Sequence, residues 1–217
     1  EFRRVLFRSN MADKAAKYKG FTGDDVTAIP GFVNYSEGIY VGYKFYETAS
    51  DEGLINYDDT VAFPFGYGLS YTSFDQKLDS VKYKGGKVTV TATVTNTGDK
   101  AGKDVVEVYY NPPYTDGGIE KASKNLAGFE KTKELQPGES QKVTVKFDDD
   151  DMASYDYKGA KAYVLEKGDY DISIQSDSHH VIDHKAITVK DTVTYDSDSN
   201  THNGDKTVAT NQFDDVA

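Results

Sequence analysis

The most regular pattern in the chain lies at residues 87–95, where valine or alanine alternates with threonine after an initial lysine. Successive side chains of a β-strand point to opposite faces, so a period of two predicts a strand with one buried face. The pattern places Val88, Val90, Ala92 and Val94 on that buried face. Threonine, which suits a half-exposed pleated surface, faces the solvent.

Short apolar segments with turn signals between them continue to residue 189, and no helical period occurs among them. They predict strands at 78–83, 105–110, 126–129, 143–147, 162–165, 170–174 and 187–189. Seven or more short strands at this spacing are typical of an immunoglobulin-like β-sandwich, here over 74–189. The alternation predicts a core that includes Val90, Val94, Val106, Val108, Phe129, Val145 and Ile172.

Before the sandwich, residues 37–48 also alternate, but both faces are apolar or aromatic. This pattern predicts a strand that is buried on both sides. We expect it to be the last strand of an α/β domain whose final part is residues 10–60. Its aromatic side chains would serve either core packing or contact with a neighbouring catalytic domain. We expect a short helix at 11–18 and a loop at 49–60.

Residues 61–73 form a predicted junction between these two regions. Pro64 restricts the backbone, and Gly66 and Gly68 permit a positive φ or a close approach. Aromatic residues at such a position serve either packing between domains or, for Tyr67 and Tyr71, contact with a sugar. The predicted interdomain interface consists of Tyr43, Phe63, Phe65, Tyr67 and Tyr71.

Composition narrows the possible partners. The formal net charge is −11 and the pI about 4.8, which disfavours nucleic acid and anionic membranes as partners.

Residues 1–9 are basic and apolar, too short for a signal peptide, and resemble vector-derived sequence, so we exclude them from the fold. Without a signal peptide, a bacterial cytoplasmic location is favoured. Residues 190–217 are polar and predict a disordered linker or tail.

Several motifs resemble those of glycoside hydrolase family 3, the β-glucosidase and β-xylosidase group. They are EGIYVGYKFYE at 37–47, FPFGYGLSYTSF at 63–74, VTNTG at 94–98, AGKDVVEVYY at 101–110, LAGFE at 126–130, LQPGES at 135–140 and GDYDISI at 168–174. The resemblance covers most of 37–189. It implies the end of the family's α/β sandwich domain followed by its fibronectin type III-like domain.

The resemblance also implies where catalysis takes place. A retaining glycosidase needs two carboxyl groups about 5 Å apart, and the family carries them on the barrel and upstream in the α/β domain. Neither motif matches a position here, so we assign no catalytic residue, and Glu37 and Glu47 are not the acid/base. The implied partners are the barrel and α/β domains of a longer chain and a β-glycoside substrate, without a cofactor. Residues 210–215 resemble the linker of the subgroup in which the barrel follows the sandwich.

Two other clusters contain side chains of the kinds that bind metal ions. Residues 148–151 are four consecutive aspartates, but they lack the spacing of a calcium loop and predict a solvated turn. His179, His180 and His184 would converge only on a helix, and this stretch predicts a surface loop. The sequence therefore predicts no metal site. The alternative function is a stand-alone immunoglobulin-like module that binds carbohydrate or protein.

Overall fold

The computed structural model describes residues 16–19, 25–28 and 38–209. The chain divides into two units, Glu1–Gly38 and Ile39–Ala217. In the first unit, strand β1 (Ala16–Lys19) pairs antiparallel with β2 (Asp25–Ala28). The helix expected at 11–18 is therefore wrong for residues 16–18, because pairing with a second segment overrides a weak local preference. Residues 11–15 lie outside the described part.

The second unit begins with two helices, α1 (Tyr43–Asp51) and α2 (Tyr57–Thr60). The strand predicted at 37–48 is therefore wrong for the described residues 38–48. The loop predicted at 49–60 is wrong for residues 49–51 and 57–60, which are helical, and correct for 52–56. Gly42 has a φ of 60° and turns the chain into α1. Tyr43 and Glu47 lie one helical turn apart on the face that meets the sandwich, whereas Phe45, which a strand would place beside Tyr43, is exposed.

Ten strands follow, and they form one sheet of four strands and two of three. The first three-stranded sheet contains β3 (Phe74–Lys84), β4 (Lys87–Asn96) and β7 (Ser140–Asp148) in the order β3-β4-β7. The four-stranded sheet has the order β11-β10-β5-β6, with β5 (Val105–Asn111), β6 (Asn125–Lys131), β10 (Gly168–Gln175) and β11 (Val181–Val189). The last sheet contains β8 (Ser154–Asp156), β9 (Ala162–Leu165) and β12 (Val193–Tyr195).

The core lies between the sheet of β4 and β7 and the sheet of β5 and β10. All the strand pairs are antiparallel, and Val90 lies opposite Val145 in the register of β4 and β7. The predicted β-sandwich is confirmed. Six of the seven predicted core residues are buried in one cluster: Val90, Val94, Val106, Val108, Val145 and Ile172.

Phe129 is the exception, because its side chain is 65% exposed. A Cβ added at Gly128 would lie 3.0 Å from Val145, so residue 128 faces the core. The next side chain along the strand must therefore point away from it. β6 also forms an edge of its sheet, where no further strand covers the outward face.

The expectation of disorder from residue 190 is wrong for the part of the tail that is described. β12 pairs with β9, Tyr195 is buried, and a 3-10 helix covers His202–Gly204. The His202 ring stacks on Tyr163 at 3.9 Å between centroids, and its Nε2 lies 2.9 Å from the Asp150 carbonyl oxygen. The buried Tyr195 side chain, the stacked His202 ring and the pairing of β12 with β9 order this segment, although its polar composition predicts disorder. Residues 210–217 lie outside the described part.

The aspartate run is ordered as well. Asp149–Met152 forms a 3-10 helix, and Asp148 and Asp151 make reciprocal cap hydrogen bonds at its start. Carboxylates suit this position because the first N–H groups of a helix lack intrahelical partners. Among residues 16–19, 25–28 and 38–209, no helix has the length and apolar character that crossing a membrane requires.

The core assignment is tested by a matched pair of truncations. Val108→Ala should lower the free energy of unfolding by about 1–3 kcal/mol, because it removes two fully buried methyl groups and leaves a cavity. Phe129→Ala should change it by less than about 0.5 kcal/mol, because the ring is mostly in water. Urea unfolding of both variants measures the difference. Equal losses would show that the two faces of the sheet are wrongly assigned.

Candidate functional site

Glu47 is the centre of the contact between α1 and the sandwich. Its side chain has no solvent exposure. One carboxylate oxygen accepts a hydrogen bond from Ser178 Oγ at 2.7 Å, and the other lies 2.9 Å from His179 Nδ1 and 3.5 Å from Lys124 Nζ. A buried carboxylate is costly unless it is paired and hydrogen-bonded. Here the sandwich supplies all three of these partners.

The His179 ring joins the second helix to the same point. It stacks on Tyr57 of α2, with the centroids 3.6 Å apart and the ring planes at 7°. Tyr57 is itself buried. Burial, reinforced by the nearby Glu47 carboxylate, raises the pKa of the Tyr57 hydroxyl, which stays protonated. The turn between β10 and β11 therefore contacts both helices.

Tyr43 makes a second contact, one helical turn before Glu47. Its ring stacks on Phe65 at 4.6 Å and meets the edge of Tyr109 at 6.1 Å. Its hydroxyl oxygen accepts a hydrogen bond from the Leu126 backbone N–H at 2.9 Å. Burial is the main cause that raises the pKa of Tyr43. In the next turn, Thr48 Oγ1 accepts a hydrogen bond from the Ser123 N–H at 3.0 Å.

The start of the junction is held against β5. The Ser178 N–H donates to the Phe65 carbonyl oxygen at 2.8 Å. Gly66, with a φ of +88°, lies so close to Glu107 that an added Cβ would stand 2.4 Å from its Oε2. The Tyr109 hydroxyl donates to that same oxygen at 2.7 Å. Burial raises the pKa of the Glu107 carboxyl, and the Tyr109 hydrogen bond opposes the shift.

The predicted interface residues separate into two groups. Tyr43 and Phe65 are brought together inside the helix contact. Phe63 and Tyr67 lie 5.1 Å apart on the surface, where Phe63 is 69% exposed. Tyr71 is 98% exposed. With Leu69, these side chains form what we name the junction strip: Phe63, Phe65, Tyr67, Leu69 and Tyr71.

The strand predicted at 37–48 gives no indication of the role of Glu47 and its partners. On a helix, Tyr43 and Glu47 share a face, and that spacing was the available signal. The predicted surface loop is wrong for His184, which lies in β11 with its Nδ1 2.9 Å from an Asp171 oxygen. Glu37 lies outside the described residues. The described part contains no cluster of His, Cys, Asp and Glu suited to a metal ion.

Removing the Glu47 charge tests the helix contact. Glu47→Gln keeps the shape of the side chain, but it loses the ion pair with Lys124 and one acceptor oxygen. It should lower the free energy of unfolding by about 1–3 kcal/mol. The control Glu52→Gln changes an exposed residue just beyond the same helix and should stay within about 0.5 kcal/mol of the wild type. Similar unfolding midpoints for the two variants would contradict the role given to Glu47.

Two nearby glycines provide a second test. Gly66→Ala should lower the free energy of unfolding by about 1–3 kcal/mol, because φ is positive and the new Cβ meets the Glu107 carboxylate. Gly68→Ala should have little effect, since an added Cβ there meets no atom within 4 Å. Thermal unfolding of both variants compares them directly. A loss at Gly68 as large as that at Gly66 would refute this description of the junction.

Comparison with known proteins agrees with this architecture. The model of the fibronectin type III-like domain matches residues 104–178. The chain is 42% identical over 170 residues to β-glucosidase A of Butyrivibrio fibrisolvens, covering 70% of this chain and 19% of that protein. It is 42% identical over 162 residues to a β-glucosidase of Ruminococcus albus, covering 73% and 16%.

Solved structures of β-glucosidases also match this chain. A β-glucosidase from Kluyveromyces marxianus in complex with glucose matches with a TM-score of 0.66 and 34% identity, over 75% of this chain and 18% of that chain. A family 3 β-glucosidase from Bifidobacterium adolescentis matches with a TM-score of 0.63 and 31% identity, over 76% and 23%. The chain spans about a fifth of the length of the curated relatives it matches. It therefore belongs with the family 3 glycoside hydrolases, as a segment that contains their fibronectin type III-like domain.

Proposed function

We propose that these residues are a non-catalytic scaffold within a longer β-glucosidase-type enzyme that hydrolyses terminal, non-reducing β-D-glucosyl residues. The observation that carries the proposal is the junction strip. Three of its side chains, Phe63, Leu69 and Tyr71, are more than two-thirds exposed. Several large apolar side chains exposed along one short segment mark an interaction site. The strip directly follows a segment that is held firmly to the sandwich by Tyr43 and Glu47.

The occupants of the strip in this proposal are the α/β and barrel domains of the same longer protein. The chain accounts for only about a fifth of its relatives' length, so most of such an enzyme lies outside it. The catalytic carboxyls of the proposed enzyme lie in those domains. In that arrangement α1 is the end of the α/β domain, and the barrel follows the sandwich. A cytoplasmic location belongs to the same proposal.

The first test is activity. Purified as the 217-residue chain, the protein should hydrolyse neither an aryl β-glucoside nor an aryl β-xyloside above the buffer blank. The physical reason is that catalysis requires two carboxyls held in one closed site. Turnover that survives repurification and is lost when a carboxylate of this chain is replaced would refute the scaffold proposal.

The second test separates an interdomain contact from a sugar contact at Tyr71. The Tyr71 side chain is 98% exposed, so Tyr71→Ala should leave the stability of the 217-residue chain unchanged. In the longer protein, the same change should lower stability by about 1–3 kcal/mol, because it removes a buried aromatic anchor. Thermal unfolding of both proteins gives the comparison, with exposed Tyr157→Ala as the control. A raised KM for the glucoside with unchanged stability would assign Tyr71 to sugar binding instead.

A further inference from the structure

Strand β11 forms a free edge of the four-stranded sheet. It pairs with β10 on one side, and no other strand of the described residues pairs with its opposite side. All the side chains from 181 to 186 are exposed, and they include the large apolar ones of Val181 and Ile182. A free strand edge presents unpaired N–H and C=O groups, so it is a template to which another strand can add.

Two charged residues lie on the inner face of this edge. Asp183 is directly opposite Ile174 of β10, and both belong to one register that continues with Lys185. Lys185 is directly opposite Ile172. Both isoleucines belong to the buried core cluster, and directly opposite residues of an antiparallel pair share one face of the sheet. Inward-pointing charges on an edge strand are one way in which natural sheets prevent edge-to-edge association.

The same segment departs from a regular strand in two further ways. The register of β10 and β11 skips Ile182, which is an extra residue and forms a β-bulge. Asp183 Oδ1 accepts a hydrogen bond from the backbone N–H of His184 at 2.8 Å. A side-chain acceptor on a strand N–H competes with the carbonyl of an incoming strand for that donor. An added strand would therefore meet an irregular edge, an occupied donor and two charges.

We propose that Asp183 and Lys185 keep the β11 edge closed to a second copy of this chain. A second copy is the occupant that the open edge would accept, because every molecule in a solution of the protein carries the same free strand. Without the two charges, exposed Val181 and Ile182 would lie beside free backbone groups, a combination that promotes pairing between edges. The proposal concerns this edge alone and depends on neither the scaffold role nor the catalytic assignment.

The experiment compares the oligomeric state of the 217-residue chain with that of the double variant Asp183→Ala plus Lys185→Ala. The double change removes one acid and one base, so the formal net charge stays at −11. In analytical ultracentrifugation over a range of concentrations, the variant should dimerise at least about tenfold more tightly than the wild type, the effect of one or two new backbone hydrogen bonds. Hydrogen exchange should show that amides of 181–186 gain protection in the dimer.

The matched control is Asp99→Ala plus Lys100→Ala. These residues are an exposed acid and base in the connection between β4 and β5, so the control should associate as the wild type does. Either single change, Asp183→Ala or Lys185→Ala, should strengthen association by a smaller factor than the double change. Circular dichroism checks that each variant is folded, and the single changes provide the test if the double variant does not fold.

Three results would overturn the proposal. In the first, the β11 variants associate no more tightly than the wild type, or no more tightly than the control. In the second, association strengthens without protection of 181–186, which would assign it to another surface such as the junction strip. In the third, the wild type already associates through 181–186 and the double variant loses this association, which would show that the two charges pair across the interface. Hydrolytic activity has no bearing on any of these results.

Discussion

A carboxylate that folding removes completely from water needs compensation, and Glu47 receives it from groups of the sandwich. Ser178 and His179 lie in the turn between β10 and β11, and Lys124 precedes β6. These three positions are distant from Glu47 in sequence, so the hydrogen bonds form only when the helix and the sandwich are docked. Because burying the charge without its partners is costly, the position of α1 and the conformation of this turn are mutually dependent.

The other contacts of the junction depend on the docking of α1 against the sandwich. With α1 in place, the Tyr43 ring can stack on Phe65, and Ser178 can donate to the Phe65 carbonyl. The chain then passes Glu107 at Gly66, where only a residue without a side chain fits easily. The aromatic side chains of Phe63, before this point, and of Tyr67 and Tyr71, after it, face outward. A rigid inner contact thus presents an exposed apolar strip in a defined orientation, which is what a scaffold between domains requires.

The sandwich could be predicted from sequence because its strands have a strict period of two, as at Val88–Val94, and each alternate residue is buried. Phe129 could not be predicted, because its orientation depends on Gly128 facing the core at a sheet edge. α1 was missed for a related reason. The aromatic residues Tyr43, Phe45 and Tyr46 favour a strand by local preference, whereas the tertiary contacts of Glu47 stabilise the helix there. The site could be predicted in part. The aromatic residues of the junction can be identified from the sequence, but the buried contact of Glu47 with Ser178 and His179, about 131 residues away, cannot.

Native-state hydrogen exchange of the unmodified chain tests the central claim most directly, that α1 and the sandwich form one cooperative unit. The amides of Glu47, Thr48 and Ala49 in α1 should open with a free energy within about 1 kcal/mol of the amide of Ile172 in β10, and with a similar denaturant dependence. If the α1 amides instead exchange through a separate opening that is several kcal/mol easier and independent of denaturant, the buried Glu47 contact does not hold the helix to the sandwich.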